Sequence, residues 1–446
     1  MLSAGFGEDT VQPAIGAMAD HPESDREYLA YRKVTLRVVP FLFICYLAAY
    51  LDRVNVGFAK LQMLKELQFS ETVYGFGAGI FFLGYVLFEV PSNVIMLRVG
   101  ARIWIARIMI TWGLISALMC FVHTPLQFYA LRFLLGVAEA GFIPGILLYL
   151  TYWFPARRRG RITAIFLAAI PTASILGGPL SGWILKEVSG ARGLSGWQWL
   201  FLIETIPSIL LGIVTLIYLR DRVSDVAWLT DDEKRVISTN IVAEEFEKAG
   251  HSHLSQAFTD ARVWLLGVIY FSIVCGIYII SFWLPSLIKR TGVSDPLQIG
   301  LLTAVPYIVA IVAMVAVNAS ADRMRERRWH TLLPALIAAA GLVLTGFAGT
   351  NPLLAMVGLT IAAAGASASQ ASFWCLPAAF LGGAAAAAGI AFVNSLGNIA
   401  GFVSTFLVGW LTETTQSAAA ALYVFGAIMA VGGMLILAIQ PKLVNK

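Results

Sequence analysis

Charge is scarce in this chain. Asp, Glu, Lys and Arg make up 13% of its 446 residues, about half the ~25% of an ordinary soluble domain. So little charge excludes an independently soluble globular domain. It also leaves no basic face for nucleic acid, so the formal net charge of +5 needs another cause. There are four cysteines, Cys45, Cys120, Cys275 and Cys375. All lie in apolar stretches without metal-ligand spacing and read as small buried hydrophobes. Neither a disulfide, a metal nor a cofactor is expected. There is no nucleophile–base pattern, which weighs against a membrane enzyme. Residues 1–33 have no apolar h-region and no small-residue cleavage site, so they read as a polar tail and not a signal peptide.

Hydrophobic residues fill the rest, at 59% of the chain, with a mean hydropathy of +0.78. Charges cluster between long apolar runs near 36–58, 74–97, 103–122, 126–150, 162–185, 198–219, 263–288, 298–320, 331–348, 353–378, 387–410 and 419–439. A helix of roughly 20 apolar residues crosses a bilayer. The expectation is an all-α polytopic membrane protein with twelve transmembrane helices. The link between spans 10 and 11, around Leu381-Gly382-Gly383, carries no charge, so that region could be divided differently.

Lys and Arg set the orientation. Arg26, Arg32, Lys33 and Arg37 precede span 1. Arg98 and Arg102 follow span 2. Arg157, Arg158, Arg159 and Arg161 follow span 4, and Arg323, Arg325, Arg327 and Arg328 follow span 8. The alternate loops hold only Lys60 and Lys65, then Lys186 and Arg192, then Lys289 and Arg290. Both termini are therefore expected in the cytoplasm of a multi-pass inner-membrane protein. The net charge then reflects topology.

The longest polar stretch, 220–261, contains Thr230-Asp231-Asp232-Glu233, a capping-box pattern opening a charged helical run to Lys248. It reads as a cytoplasmic linker with an amphipathic surface helix. It divides the chain into a tail (1–33), a six-helix bundle (34–219), the linker (220–261), a second six-helix bundle (262–440) and a short tail (441–446). Short echoes recur between the bundles, such as Gly182-Trp183-Ile184-Leu185 closing span 5 and Gly409-Trp410-Leu411 closing span 11. Parallel six-helix pseudo-repeats place a substrate site between the halves near the midplane.

Asp52 and Arg53 stand side by side inside span 1. A charge at the bilayer centre costs about 2.5–3.5 kcal/mol even on the lenient insertion scale, so such residues are usually functional. Arg132 and Glu139 lie on span 4, two turns apart on one face, roughly 10 Å along the axis. Gly136 between them lets a helix or a ligand approach. The plain alternative is a charge network that only joins spans 1 and 4. The functional reading is an anion site. Arg supplies a bidentate fork for a carboxylate, and a nearby carboxyl exchanges protons as the site fills and empties. Glu89 on span 2 belongs to a gate or a capping arrangement, or is a third titrating group.

The second half has no charge in its predicted membrane cores. It offers Tyr278, Ser281 and Trp283 on span 7, Gln370, Ser372 and Trp374 on span 10, and Asn394 and Asn398 on span 11. Such groups bind substrate or bond across helices. Trp374 and Asn394 are preferred as mid-helix positions, whereas Trp283 reads as a residue of the membrane interface. Gly178 with Gly182, and Gly397 with Gly401, have the spacing of small-residue packing faces.

Several segments together resemble the major facilitator superfamily, and within it the anion:cation symporters that include tartrate, phthalate and sugar-acid carriers. They are Tyr50-Leu51-Asp52-Arg53-Val54-Asn55-Val56-Gly57-Phe58-Ala59, Glu89-Val90-Pro91-Ser92-Asn93, Arg98-Val99-Gly100-Ala101-Arg102, Arg132 through Gly141, Trp153-Phe154-Pro155, Ala227-Trp228-Leu229-Thr230 and Asn394-Ser395-Leu396-Gly397-Asn398. The resemblance covers about residues 30–440. It implies proton-driven uptake of a small organic carboxylate by alternating access. On matching positions Asp52 and Glu139 would handle protons, and Arg53 would grip the carboxylate. Arg132 would pair with Glu139 or the substrate. Tyr85, Ser372, Trp374 and Asn394 would line the pocket. Arg98, Arg102, Asp322 and Arg323, with Glu89, would serve gating or structure. The partners would be the anion, protons and lipid, and the protein would be a monomer.

Two features depart from the family pattern. Asn93 and Leu97 stand where its loop after span 2 usually has Gly and Asp, so the charge latch of the first half is incomplete. Gly177-Gly178-Pro179 resembles an antiporter motif, which keeps an anion exchanger or uniporter open as an alternative. A membrane-embedded organic-acid sensor is a further one, but a signalling domain is missing.

Overall fold

The computed structural model describes residues 25–248, 260–380 and 383–444, and every regular element among them is helical. The first 24 residues of the expected tail and Leu381-Gly382 of the expected link lie outside the described residues, as do the side chains of Arg157 and Arg161 in the basic run. Among the described residues twelve helices are long and apolar enough to cross a membrane: α1 (Asp25–Leu67), α2 (Glu71–Val99), α3 (Ala101–Phe121), α4 (Pro125–Thr151), α5 (Arg158–Val188), α6 (Gly196–Tyr218), α7 (Ala261–Arg290), α8 (Pro296–Met324), α9 (Arg328–Phe347), α10 (Pro352–Pro377), α11 (Gly389–Thr415) and α12 (Ala418–Ala438). Twelve crossings return the chain to the face from which it started.

α1 begins earlier than hydropathy implied, because its first turns pack on the linker helix, Asp231–Lys248. Lys33 Nζ reaches Glu233 Oε1 at 2.6 Å. Asn240 Nδ2 donates to Glu27 Oε1 at 3.1 Å and to Tyr31 OH at 3.2 Å. Ile237 is fully buried beneath them. The capping box forms: Thr230 N–H donates to Glu233 Oε2 at 2.9 Å, and Glu233 N–H to Thr230 Oγ1 at 3.3 Å. These bonds satisfy orphan groups at the helix start.

The two six-helix halves are pinned together on the face opposite the termini, through α1 with α7, α2 with α11 and α5 with α8. Glycines permit these contacts. Gly75 on α2 packs on the backbone of Thr405 and Gly409, and Gly178 and Gly182 on α5 pack on Gly300 and Pro296 of α8. A Cβ on Gly300 would stand 2.2 Å from the Gly178 carbonyl oxygen, a backbone atom that cannot turn aside. Gly300→Val should therefore wedge this face open. In a background lacking the four native cysteines, a cysteine at Phe58, which is 5% exposed, should then react with a membrane-impermeant maleimide several-fold faster. Unchanged labelling would mean that this contact does not hold the face shut.

Candidate functional site

Asp52, Arg53 and Glu139 of the first half sit at two interruptions of their helices. α1 turns at Asn55: Asn55 N–H donates to Leu51 O at 3.0 Å, and Phe58 and Ala59 N–H both donate to Asn55 O at 2.9 Å. α4 breaks after Glu139, where Ala140 leaves the helical conformation and Gly141 takes a φ of +85°, a region glycine enters without steric cost. Ser92 Oγ on α2 donates to the freed Ala140 carbonyl at 2.6 Å. Irregular backbone at membrane depth is tolerated where protein or a cavity satisfies it. Here it places Asp52, Arg53 and Glu139 beside such turns.

Arg53 and Glu139 form a buried ion pair. Arg53 Nε donates to Glu139 Oε1 at 3.0 Å, and Nη2 donates to the same oxygen. Their exposures are 5% and 2%, so solvent screens the pair little. The guanidinium carbon lies 5.4 Å from the Phe81 ring centroid and 5.5 Å from that of Tyr85, itself buried. α4 can approach α2 this closely because Gly136 lies against the Phe81 carbonyl. Tyr50 OH and Ser281 Oγ, 3.2 Å apart, join this region to the second half, and the tilted rings of Phe82 and Tyr278 meet with centroids 4.5 Å apart.

The expected pairing of Arg132 with Glu139 is not what the structure shows. Arg132 is fully buried and donates to the carbonyls of Gly77 and Ala78, each at 3.3 Å, with its guanidinium 5.0 Å from the Phe81 ring. A shared helical face fixed its direction, but Arg53 from α1 reached Glu139 instead. Asp52 turns away from its neighbour Arg53. Its Oδ2 accepts from Trp112 Nε1 at 2.9 Å and from Ser208 Oγ at 2.5 Å, inside the first half.

Two buried charges escaped the sequence reading. Glu204 on α6 is 2% exposed and accepts from Ser181 Oγ at 2.6 Å. Lys60, counted as a loop residue, is 4% exposed. Its Nζ lies 2.6 Å from Glu71 Oε2 and 3.5 Å from the Trp283 ring centroid. Arg290 Nη2 of α7 reaches the other oxygen of Glu71 at 2.9 Å, and Lys289 Nζ donates to Leu61 O at 2.7 Å. These groups bridge the halves on the closed face. Trp283 is therefore buried under a cation and is not a membrane-interface residue, as its position near a helix end had implied.

In the second half, Tyr270 gathers Gln370 Nε2 (3.3 Å) and Trp374, whose ring centroid lies 4.7 Å away edge-on. Trp374 and Asn394 are half-buried. Ser372 is fully buried and bonds to Asn318 Oδ1 at 3.3 Å across the helices, so it offers no open face to a ligand in this conformation. Of the gating candidates, Glu89 is half-buried one turn from Tyr85, and Arg98 is exposed. Arg102 N–H donates to Asp221 Oδ1, a carboxylate following α6, at 2.8 Å. Asp322 pairs with Arg327 and not with its neighbour Arg323. Among the described residues no cluster could hold a metal ion.

Residues 42–405 match the Major Facilitator Superfamily. A Pseudomonas putida protein with the working name metabolite transport protein NicT is 49% identical over 436 residues, 97% of this chain and 100% of its own. An Agrobacterium vitis protein with the working name tartrate transporter is 49% identical over 418 residues, 94% of this chain and 96% of its own. The crystal structure of a bacterial homologue of the human lysosomal transporter Spinster, inward-facing and occupied, has a TM-score of 0.74 over 92% of this chain and 96% of its own, at 14% identity. That last likeness is one of fold.

Proposed function

The chain belongs to the major facilitator superfamily and is a multi-pass membrane transporter, and from that premise we propose that it carries an organic anion together with protons into the cytoplasm. The substrate class is a small carboxylate such as tartrate, a sugar acid or phthalate. In this reading the protein works as a monomer in the inner membrane, and the distribution of Lys and Arg supports cytoplasmic termini. The names of its 49%-identical relatives favour this class.

The observation that carries the reading is the buried Arg53–Glu139 pair. Arg53 is the cation an incoming carboxylate needs, and Glu139 already occupies it. Substrate binding must separate the two. Glu139 then lies in a low-dielectric site without its cation, where a carboxylate is held only at high cost. It takes up a proton, and the substrate carboxylate replaces it on the guanidinium. The charge of the site is conserved, one proton being bound for each anion. Tyr85, Trp374 and Asn394 supply further walls, and Asp52 is the other carboxyl at the break of α1. The glycine contacts of α2, α5 and α8 seal one face, and rocking of the halves alternates access.

A thermal-shift panel of organic acids on the purified protein tests the reading. A carboxylate should stabilise the protein, and do so more at acidic than at neutral pH. Equal stabilisation at both would remove the proton from the binding step. Counterflow that runs equally well without a pH gradient, together with no net proton movement, would favour an exchanger.

A further inference from the structure

Lys60 has no part in the exchange at Arg53, yet it stands on the same helix. It lies two turns nearer the closed face, roughly 10 Å along the axis. It is 4% exposed. Its ammonium sits against two rings, 3.5 Å from the Trp283 centroid and 4.6 Å from that of Tyr74. Tyr74 OH donates to Phe282 O at 2.9 Å and closes the seam beside it. Between the two cations α1 passes a cleft at the seam, lined by Asn55 and Phe58 with Ser181, Ser281, Thr303 and Tyr307.

Three cations meet at this seam around one carboxylate. Glu71 on α2 holds Lys60 at one oxygen and Arg290 at the other, at 2.6 and 2.9 Å. Lys289 reaches the Leu61 carbonyl at 2.7 Å and pairs with no carboxylate among the described residues. The other carboxylates of this face are engaged elsewhere. Glu413 accepts from the Thr72 N–H at 2.8 Å, Glu66 from Ser195 and Trp197, and Asp295 pairs with Lys186. The seam therefore carries a surplus of positive charge. A simple lock needs no such surplus. Glycine contacts already bring the halves together here, and buried ions carry a desolvation cost that apolar packing avoids.

The groups are also divided between the halves. Lys60 and Glu71 belong to α1 and α2, whereas Trp283, Lys289 and Arg290 belong to α7. When the halves part on this face, α7 withdraws the Trp283 ring from Lys60 and takes Arg290 away from Glu71. Lys289 gives up Leu61. Lys60 is then uncovered, and two further cations face it across the opening.

We propose that Lys60, Arg290 and Lys289 form an entry site that receives the carboxylate of the incoming anion before Arg53 does. The site rests on the organic-anion reading above. The step is an exchange of ion-pair partners: the carboxylate replaces Glu71 on Lys60, as it later replaces Glu139 on Arg53. Positive charge at the mouth raises the local concentration of the anion and the rate of its capture.

Initial rates of uptake into right-side-out membrane vesicles test the site. The probe is the radiolabelled acid that most stabilises the protein in the thermal-shift panel. Lys60→Gln should raise KM roughly tenfold with kcat little changed, and should flatten the fall of kcat/KM with ionic strength. Lys60→Arg should stay near the wild type in both, which also reports that the protein is folded. Glu71→Gln removes the competing carboxylate and should lower KM. A mere lock predicts otherwise: Lys60→Gln and Glu71→Gln break the same pair and would shift KM in the same direction. KM moving the same way in both variants, or unmoved in Lys60→Gln, would overturn the proposal and leave anion transport standing. Wild-type vesicles with no saturable uptake of any acid in the panel would overturn the anion reading and this site with it.

Discussion

Arg53→Lys should weaken binding of the transported carboxylate roughly ten- to a hundredfold, although the charge is kept. Hydrogen bonds to charged groups contribute about 1.5–3 kcal/mol, and Arg53 uses both Nε and Nη2 on one carboxylate. An ammonium cannot present that planar fork. Its shorter reach also leaves Glu139 less firmly held, so the empty protein should melt at a lower temperature. Binding titrations on the two proteins, using the acid selected by thermal shift, decide the matter. Equal dissociation constants would take Arg53 out of the site.

Glu139→Gln should separate coupling from carriage. The amide has nearly the shape of a protonated carboxyl but releases no proton and makes no ion pair with Arg53. Substrate should bind Glu139→Gln at least as tightly as wild type, because the competing carboxylate has gone. Counterflow should persist. Uphill accumulation should fall to the level of simple equilibration, whereas one coupled proton supports about tenfold accumulation per unit of pH gradient. Persistent acid-driven accumulation in Glu139→Gln would move the coupling to Asp52 alone.

Most of the architecture was legible in the sequence, because membrane spans are written in length and hydropathy, a signal that survives without knowledge of neighbours. The capping box at Thr230 was legible for the same reason: both of its partners are three residues apart. The site was legible in its residue types and less so in its pairings. Helical spacing put Arg132 and Glu139 on one face, but which helix reaches across is decided by packing. Gly136 brings α2 in, α2 supplies carbonyls to Arg132, and α1 supplies Arg53 to Glu139. Glu204 and Lys60 were passed over because each stands near the end of an apolar run, where a charged residue ordinarily snorkels to water. Neither does so here. Glu204 points inward to Ser181, and Lys60 is capped by Trp283 and Glu71. Ser372 shows the reverse case, a polar residue at a plausible depth whose direction is set by Asn318 on α8.

The central claim is that a substrate carboxylate replaces Glu139 on Arg53 and that Glu139 takes up a proton as it leaves. Isothermal titration of the purified protein with the selected acid, repeated in two buffers of different ionisation enthalpy, counts protons bound with the substrate. The account predicts uptake of about one proton per anion in the wild type, with affinity falling toward tenfold per pH unit where that uptake is complete, and no such uptake by Glu139→Gln. An anion that binds the wild type with identical heat in both buffers, and so takes up no proton, would contradict it.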